Sequence, residues 1–355
     1  MKITRRDFLR MAAYSAAAVG ATQFDMFKLK EALAAGRPPV IWFEGLGDSG
    51  CTVSVANYFD GVSAGIESVL LNNIDLRFNS VLMGASGDMA IGAAKAVYDN
   101  YLSRPFILVL TGALSELNGY AVVGDDTTTG GLGVMNVVDA FNRWEARATY
   151  VIYAGACACY GGVNAIGGNQ SFNQEQASAP NHSGGTGFPT TRNTNFNLAK
   201  SVMVPACPVH PDWLVLTIVH ILANGALPPK KGTSPYNTYA RPRWVKPSGP
   251  TGPTVYLFES KQVTPAALGT VYEQCPRKPQ HDVGNFAASV GDPVKCMRAV
   301  GCRGTETFAD CPTRGWNSSG KFCTAPGINH LCIGCSQPMF PAVPFNRKIT
   351  GITFP

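Results

Sequence analysis

The placement of eleven cysteines is the feature that most restricts how this 355-residue chain can fold. Seven of them lie after Thr254, and Cys332-Ile333-Gly334-Cys335 forms a C-x-x-C loop, which places two thiolates on one metal centre. An odd cysteine count in a long chain argues against the disulfide framework that is typical of small secreted domains. Zinc is the main competitor, but paired C-x-x-C knuckles are absent, and soft thiolates in these groupings favour iron–sulfur clusters.

The first 34 residues are typical of a twin-arginine export signal. Thr4-Arg5-Arg6-Asp7-Phe8-Leu9-Arg10 precedes an alanine-rich run at residues 11–21, and Ala32-Leu33-Ala34 offers a cleavage site. No run of about 18 apolar residues follows, so we expect a mature chain without a transmembrane span. The predicted location is the periplasm or the outer face of the cytoplasmic membrane.

Four near-continuous apolar runs predict the strands of an α/β domain over residues 37–227. They are residues 40–43, 107–110, 150–153 and 202–204. Runs of this kind are typical of parallel strands covered on both faces, so we predict a doubly wound parallel sheet. Loops containing Cys51, Cys157 and Cys207 follow three of the runs. Because ligands bind beyond the carboxyl ends of such strands, these three loops should converge on one cofactor.

The rest of the chain divides at a proline-rich stretch. Residues 228–253 carry seven prolines and predict a linker, and residues 164–197 predict a polar surface insertion. Residues 254–355 contain few convincing elements, so bound clusters would have to hold this second domain together. The formal charge of +6 is spread along the chain, which gives no indication of nucleic-acid binding.

At its cysteines the sequence resembles a known family, the small subunits of nickel–iron hydrogenases, over essentially its whole length. The matching stretches are Glu44-Gly45 with Gly50-Cys51, Leu82-Met83-Gly84-Ala85-Ser86-Gly87, Gly155-Ala156-Cys157-Ala158 with Tyr160-Gly161-Gly162, Pro205-Ala206-Cys207-Pro208, Cys275-Pro276-Arg277, Cys296 with Gly301-Cys302-Arg303-Gly304, Asp310-Cys311-Pro312, and Cys332-Ile333-Gly334-Cys335-Ser336. The resemblance implies a flavodoxin-like first domain with a proximal cluster, and a second domain with a medial and a distal cluster. It also implies that the catalytic nickel–iron centre belongs to a partner subunit, so no catalytic residue is expected in this chain.

The resemblance implies a ligand set for each of the three clusters. The implied ligands are Cys51, Cys157 and Cys207 for the proximal cluster, Cys311, Cys323, Cys332 and Cys335 for the medial cluster, and Cys275, Cys296 and Cys302 for the distal cluster. The family often has proline in place of Cys323, which leaves three irons in its medial cluster. The fourth thiolate here predicts a complete 4Fe–4S cluster.

Two fourth ligands depart from the family pattern. Asp48 stands where the first loop usually carries a thiolate, and we predict that its carboxylate ligates the proximal cluster. The alternatives are a cluster with only three protein ligands, and ligation by Cys159, because an extended segment would point Cys157 and Cys159 the same way. Tyr272 stands where the family has its distal histidine. His281, Tyr272 or no residue fills that position, and a vacant one would favour a three-iron distal cluster.

The function predicted from the resemblance is electron relay between a large subunit that oxidises dihydrogen and an outside acceptor, which is expected to be cytochrome- or quinone-linked. We expect the heterodimers to assemble further. Two alternatives stay open. One is an iron–sulfur relay subunit of another respiratory complex, and the other is an exported, disulfide-rich binding protein.

Overall fold

The structure is a computed structural model that describes residues 36–58, 65–114, 122–126, 133–162, 199–228, 270–307, 309–316, 321–336 and 340. The predicted export signal, the polar insertion and residues 229–253 of the predicted linker lie outside these ranges. In chain order the described elements are β1 (Pro39–Glu44), α1 (Gly50–Ala56), α2 (Ile66–Asn72), β2 (Asp75–Asn79), α3 (Gly87–Asp99), β3 (Ile107–Thr111), β4 (Val122–Asp126), β5 (Gly133–Asn136), α4 (Val137–Arg147), β6 (Tyr150–Ala154), α5 (Ala156–Tyr160), β7 (Ser201–Val204), α6 (Pro211–Asn224), α7 (Lys278–Asp282), a 3-10 turn (Met297–Val300) and α8 (Cys311–Arg314).

The main sheet has five strands in the order β2-β1-β3-β6-β7, and every neighbouring pair is parallel. Numbered within the sheet alone, this is the 2-1-3-4-5 order of flavodoxin-like folds, in which ligands bind at the carboxyl ends beside the switch point between the first and third strands. The four predicted apolar runs form β1, β3, β6 and β7. The predicted fold class is therefore confirmed.

Both faces of the sheet are covered, as the apolar runs predicted. Along β1, Val40 and Trp42 enter one core, and Ile41 and Phe43 enter the other. The first core is covered by α1, α2 and α6, and the second core by α3 and α4. This alternation explains why the runs are apolar at every position, because each successive side chain is buried on one face or the other.

The second half of the chain packs onto the first core and has little regular structure. Its described residues form two short helices, α7 and α8, and one 3-10 turn. Val271, Met297 and Leu331 belong to the same buried core as Trp213 of α6. The indole Nε1 of Trp213 also donates a hydrogen bond to Asp310 Oδ1 at 3.1 Å, which ties α6 to the segment before α8.

The described part of the chain contains no helix with the length and apolar character needed to cross a membrane.

Candidate metal centres

All eleven cysteines lie within the described residues, and none of them is joined in a disulfide. Instead, ten of them line three cavities of the described structure, which we call the proximal, medial and distal cavities. The three groups coincide with the three ligand sets that the family resemblance implies. This grouping favours metal ligation over a disulfide framework.

The proximal cavity lies at the carboxyl end of the main sheet, beside its switch point. Cys51 follows β1 in the first turn of α1, Cys157 follows β6 in the first turn of α5, and Cys207 follows β7. All three line one cavity together with Asp48 and Thr111. The loops that the sequence predicted to converge do so because parallel strands deliver them to the same edge.

Glycines give the proximal thiols the space that they occupy. Gly155 has φ of 91°, and a Cβ atom on it would lie 2.4 Å from Cys51 Sγ. Gly162 has φ of 53°, and a Cβ atom there would lie 2.7 Å from Cys157 Sγ. Both positions need a residue that adopts positive φ and has no side chain. The backbone N–H of Val209 donates to Cys51 Sγ at 3.5 Å, so this sulfur is also positioned by the loop after β7.

The electrostatics of the proximal cavity disfavour bare thiolates. Burial raises the pKa of the Cys51 thiol far above its usual range, and the nearby Cys157 and Cys207 raise it further. Burial likewise raises the pKa of Cys207 to about 12, with added contributions from Cys157 and Asp48. Thiolates in such a place need a neighbouring positive charge, which a metal centre would supply.

The two candidates for the fourth proximal position lie in different places. Asp48 lines the cavity, and its Oδ1 accepts a hydrogen bond from Gly50 N at 2.9 Å. Cys159 is 0% exposed in the second core, and its Sγ donates to Tyr153 O at 3.3 Å. The expected extended segment is wrong, because residues 156–160 form helix α5, in which positions two apart point in different directions.

The medial cavity lies between α6 and the second half of the chain. Cys311 at the start of α8, Cys323, Cys332 and Cys335 all line it, with the buried side chains of His210 and Trp213 closing one side. Burial raises the pKa of Cys311 and Cys335 well above the usual thiol value, and raises that of Cys332 to about 12. Four thiols with this environment form a soft, enclosed donor set.

The distal cavity is formed entirely by the second half of the chain. Cys275, Cys296 and Cys302 line it, and so do both predicted candidates for the fourth position, Tyr272 and His281. The Tyr272 hydroxyl donates to the Asp282 carboxylate. The ring of His281 in α7 packs against the ring of Tyr272, with 4.5 Å between centroids.

Shared lining residues and a contact between cysteines connect neighbouring cavities. Cys207 lies close enough to Cys335 to influence the pKa of its thiol, and Ala206 and Pro208 line both the proximal and the medial cavity, so these two cavities are neighbours. The backbone N–H of Cys332 donates to Cys302 Sγ at 3.3 Å, which joins the medial and distal cavities. The C-x-x-C loop therefore lies beside ligand candidates of all three cavities, which form a row.

These donor sets fit iron–sulfur clusters better than zinc. Among the described residues, no group of three or more His, Cys, Asp or Glu side chains is arranged to hold a single metal ion. A structural zinc site would require four ligands around one ion. In a four-iron cluster each thiolate binds a different iron, so the ligands surround a larger space, and cysteine is the usual ligand.

Sequence reasoning missed three polar residues beside the cysteines. Thr324 Oγ1 lies 3.2 Å from Cys275 Sγ, Cys332 Sγ lies 3.5 Å from Thr307 Oγ1, and the backbone N–H of Arg277 donates to Cys275 Sγ at 3.4 Å. Of these three residues, only Arg277 could have been identified from a sequence pattern, because it belongs to the Cys275-Pro276-Arg277 stretch. The two threonines reach the cavities through long-range folding and had no local pattern.

Two family models match the chain. The model described as NADH ubiquinone oxidoreductase, 20 Kd subunit, matches residues 49–221, and the model for the C-terminal part of the NiFe/NiFeSe hydrogenase small subunit matches residues 269–346. The first match covers the proximal cysteines, and the second covers the medial and distal ones. The half with the proximal cysteines thus matches one family model, and the half with the medial and distal cysteines matches the other.

Curated proteins and solved structures are similar to the chain over nearly its whole length. It is 27% identical over 348 residues to the periplasmic NiFeSe hydrogenase small subunit of Desulfomicrobium baculatum, with 96% of this chain and 97% of that protein covered. It is 26% identical over 348 residues to the hydrogenase-2 small chain of Escherichia coli strain K12, covering 94% and 77%. A solved Dm. baculatum NiFeSe-hydrogenase chain matches with a TM-score of 0.65 at 26% identity, covering 88% of this chain and 99% of that one.

Proposed function

Because this chain belongs to the family of nickel–iron hydrogenase small subunits, we propose that it relays electrons between the nickel–iron centre of a large subunit and an external acceptor. The observation that carries this proposal is the row of three neighbouring thiol-lined cavities: Ala206 and Pro208 line both the proximal and the medial one, and the N–H···S contact from Cys332 to Cys302 joins the medial and distal ones. When bound there, iron–sulfur clusters supply one-electron redox centres. The chain contributes the ligands, the exclusion of water and the close approach between neighbouring sites.

We assign Asp48, Cys51, Cys157 and Cys207 to the proximal cluster. Asp48 shares the cavity with the three thiols, whereas Cys159 lies in the second core. A carboxylate is a harder donor than a thiolate, and ligand identity is one of the factors that set the potential of a cluster. The medial cluster is assigned to Cys311, Cys323, Cys332 and Cys335, which together can ligate four irons.

For the distal cluster, the contacts of α7 favour His281 over Tyr272 as the fourth ligand beside Cys275, Cys296 and Cys302. The Tyr272 hydroxyl is engaged with the Asp282 carboxylate. His281 Nδ1 lies 3.4 Å from Asp282 Oδ1, a pairing that would leave Nε2 as the nitrogen available to a metal, as in carboxylate–histidine–metal triads.

A large subunit docks on the proximal face in this proposal. Large apolar side chains are exposed in the segments that follow β1 and β2 at the carboxyl edge of the sheet: Val53 of α1 at 55%, Leu82 in the loop after β2 at 49% and Met89 of α3 at 75%. The loop before Leu82 is held near the cavity by the hydrogen bond from Ser80 Oγ to Glu44 Oε2 at 3.3 Å. Several exposed large apolar side chains at one edge of a protein are a feature of protein–protein interfaces.

The remaining parts of the proposal concern the cellular setting. The twin-arginine sequence supports export of the folded subunit, in keeping with the periplasmic relative. We propose a cytochrome- or quinone-linked acceptor at the distal end and further assembly of the heterodimers. The match of residues 49–221 to an NADH ubiquinone oxidoreductase subunit is also compatible with a relay subunit of another respiratory complex. The match of residues 269–346 to the hydrogenase domain favours a hydrogenase.

The test is to purify the chain anaerobically, alone and co-expressed with its large subunit, and to measure iron, nickel and hydrogen-dependent dye reduction. Alone, the chain should contain iron without nickel and reduce no dye. The complex should contain both metals and be active. The Cys159→Ala variant serves as a control that keeps the metal content. Nickel or hydrogenase activity in the isolated chain would overturn the proposal.

A further inference from the structure

Arg277 is a buried cation at the wall of the distal cavity. Its side chain lines the cavity, the residue is only 4% exposed, and its backbone N–H donates to Cys275 Sγ at 3.4 Å. An arginine side chain is not deprotonated in proteins. The guanidinium Nε donates to the backbone carbonyl of Thr324, whose Oγ1 lies 3.2 Å from Cys275 Sγ, so a fixed positive charge lies in the wall of the cavity near a proposed distal ligand.

The guanidinium is held by neutral oxygen atoms. Nε donates to Thr324 O at 3.1 Å, Nη1 donates to Asp292 O at 2.8 Å and Lys295 O at 2.6 Å, and Nη2 donates to Asn329 Oδ1 at 2.6 Å. The Asp292 carboxylate accepts from the backbone N–H groups of Val294 and Lys295, each at 2.8 Å, and interacts with Arg277 only through space, as the smallest of the effects on its pKa. The hydrogen bonds thus fix the position of the cation without cancelling its charge.

A buried charge held only by neutral groups is costly unless an opposite charge lies nearby. Three thiolates give a bound distal cluster a net negative charge, and reduction adds one more electron. Arg277 therefore interacts more favourably with the reduced than with the oxidised state. In a water-poor site, this difference is weakly screened.

We propose that Arg277 raises the reduction potential of the distal cluster, and that its four side-chain hydrogen bonds serve to hold the charge in place. This inference rests on the proposed function, because it requires a cluster at the distal cavity. A higher potential at the distal end draws electrons away from the large subunit, so Arg277 favours the direction of dihydrogen oxidation.

The variants that test the proposal separate the charge from the hydrogen bonds. Arg277→Gln removes the charge. Arg277→Lys keeps a positive charge but loses the planar guanidinium group that makes the four hydrogen bonds. Asn329→Asp keeps the acceptor of Nη2 and places a carboxylate against the guanidinium. Asn329 has φ of 55°, a conformation that aspartate also tolerates. Arg303→Gln is the matched control, because Arg303 is already paired with Glu306 at 2.8 Å.

The measurement is a redox titration of the holoenzyme, followed by electron paramagnetic resonance of the distal signal. Arg277→Gln and Asn329→Asp should lower the equilibrium constant for reduction at least tenfold, which is about 59 mV for one electron. Arg277→Lys should shift it less, and Arg303→Gln should leave it near the wild-type value. Should Arg277→Gln lose the cluster, Asn329→Asp still decides.

Wild-type potentials in both Arg277→Gln and Asn329→Asp would overturn the proposal, as would an equal shift in Arg303→Gln. These outcomes leave the relay function intact. The absence of any distal signal from the wild-type holoenzyme would instead contradict the proposed function itself.

Discussion

Gly155, beside the proximal cavity, is the position there that tolerates a side chain least. A methyl group on it would lie 2.4 Å from Cys51 Sγ, and its φ of 91° is strained for any other residue. Gly155→Ala should therefore prevent normal loading of the proximal cluster, measured as a loss of about four irons per chain with the medial and distal signals retained.

Gly225→Ala is the matched control for that substitution. Gly225 also has positive φ, at 57°, but a Cβ atom there would meet no atom within 4 Å. Gly225 ends α6. Its substitution by alanine should lower the free energy of unfolding by about 1 kcal/mol through backbone strain, without loss of iron. Equal iron contents in both variants would show that the contact with Cys51 does not matter.

Asp48 gives the second prediction at the residue scale. If its carboxylate ligates the proximal cluster, Asp48→Ala and Asp48→Cys should both shift the proximal signal in a redox titration, because the donor is lost or replaced by a softer one. Cys159→Ala should shift nothing, since Cys159 is 0% exposed in the second core. A shift in Cys159→Ala with none in either Asp48 variant would give the position to Cys159.

His220 makes stability depend on pH. Burial lowers its pKa from 6.5 to about 4, so the folded chain holds the neutral ring while the unfolded chain takes up a proton below pH 6.5. The stabilisation from the neutral His220 ring is therefore complete above pH 6.5. As the pH drops from 6.5 toward 4, the free energy of unfolding falls by roughly 3 kcal/mol in all. Denaturant unfolding should show this loss in the wild type and a smaller one in His220→Gln; parallel curves for the two proteins would contradict it.

The cysteines that line the cavities were predictable where short spacings in the sequence, or positions directly after apolar strands, identify them. The C-x-x-C loop from Cys332 to Cys335 and the three loops after strands belong to that class. The position of Cys159 was not predictable, because it depends on whether five residues after β6 coil into α5. The electrostatic role of Arg277 was not predictable either, since its acceptors come from residues 292, 295, 324 and 329, which folding alone brings together.

At the scale of elements, the strands differ in how clearly the sequence predicts them. The interior strands β1 and β3 are apolar at nearly every position, which made them recognisable. The edge strand β2, with sequence DLRFN, is only partly buried and carries charged residues, so it was missed. The antiparallel pair β4 and β5 was missed as well, because both strands contain turn-forming glycine or aspartate.

The second half gives a prediction at the same scale. Its described helices α7 and α8 have five and four residues, too few for independent stability, so the bound clusters should supply much of its folding energy. Removing iron with a chelator should expose amides of residues 270–336 to hydrogen exchange while β1 and β3 stay protected. Unchanged protection of both halves would show that the shared core with Trp213 suffices.

At the scale of the whole molecule, the arrangement of the cavities explains why the two halves occur in one chain. The flavodoxin-like sheet holds the proximal cavity at its switch point, and α6 forms one wall of the medial cavity. The loop from Cys332 to Cys335 then lies near Cys207 on one side and contacts Cys302 on the other. Electron transfer over such a row requires that all three sites be filled.

The most direct test of a three-site relay is a count of iron and acid-labile sulfide per chain in the anaerobically purified holoenzyme, with a redox titration followed by electron paramagnetic resonance. We predict about 12 irons in this subunit if all three clusters are of the 4Fe–4S type, or about 11 with a three-iron distal cluster, and three separable redox transitions. About four irons with one transition would contradict the relay.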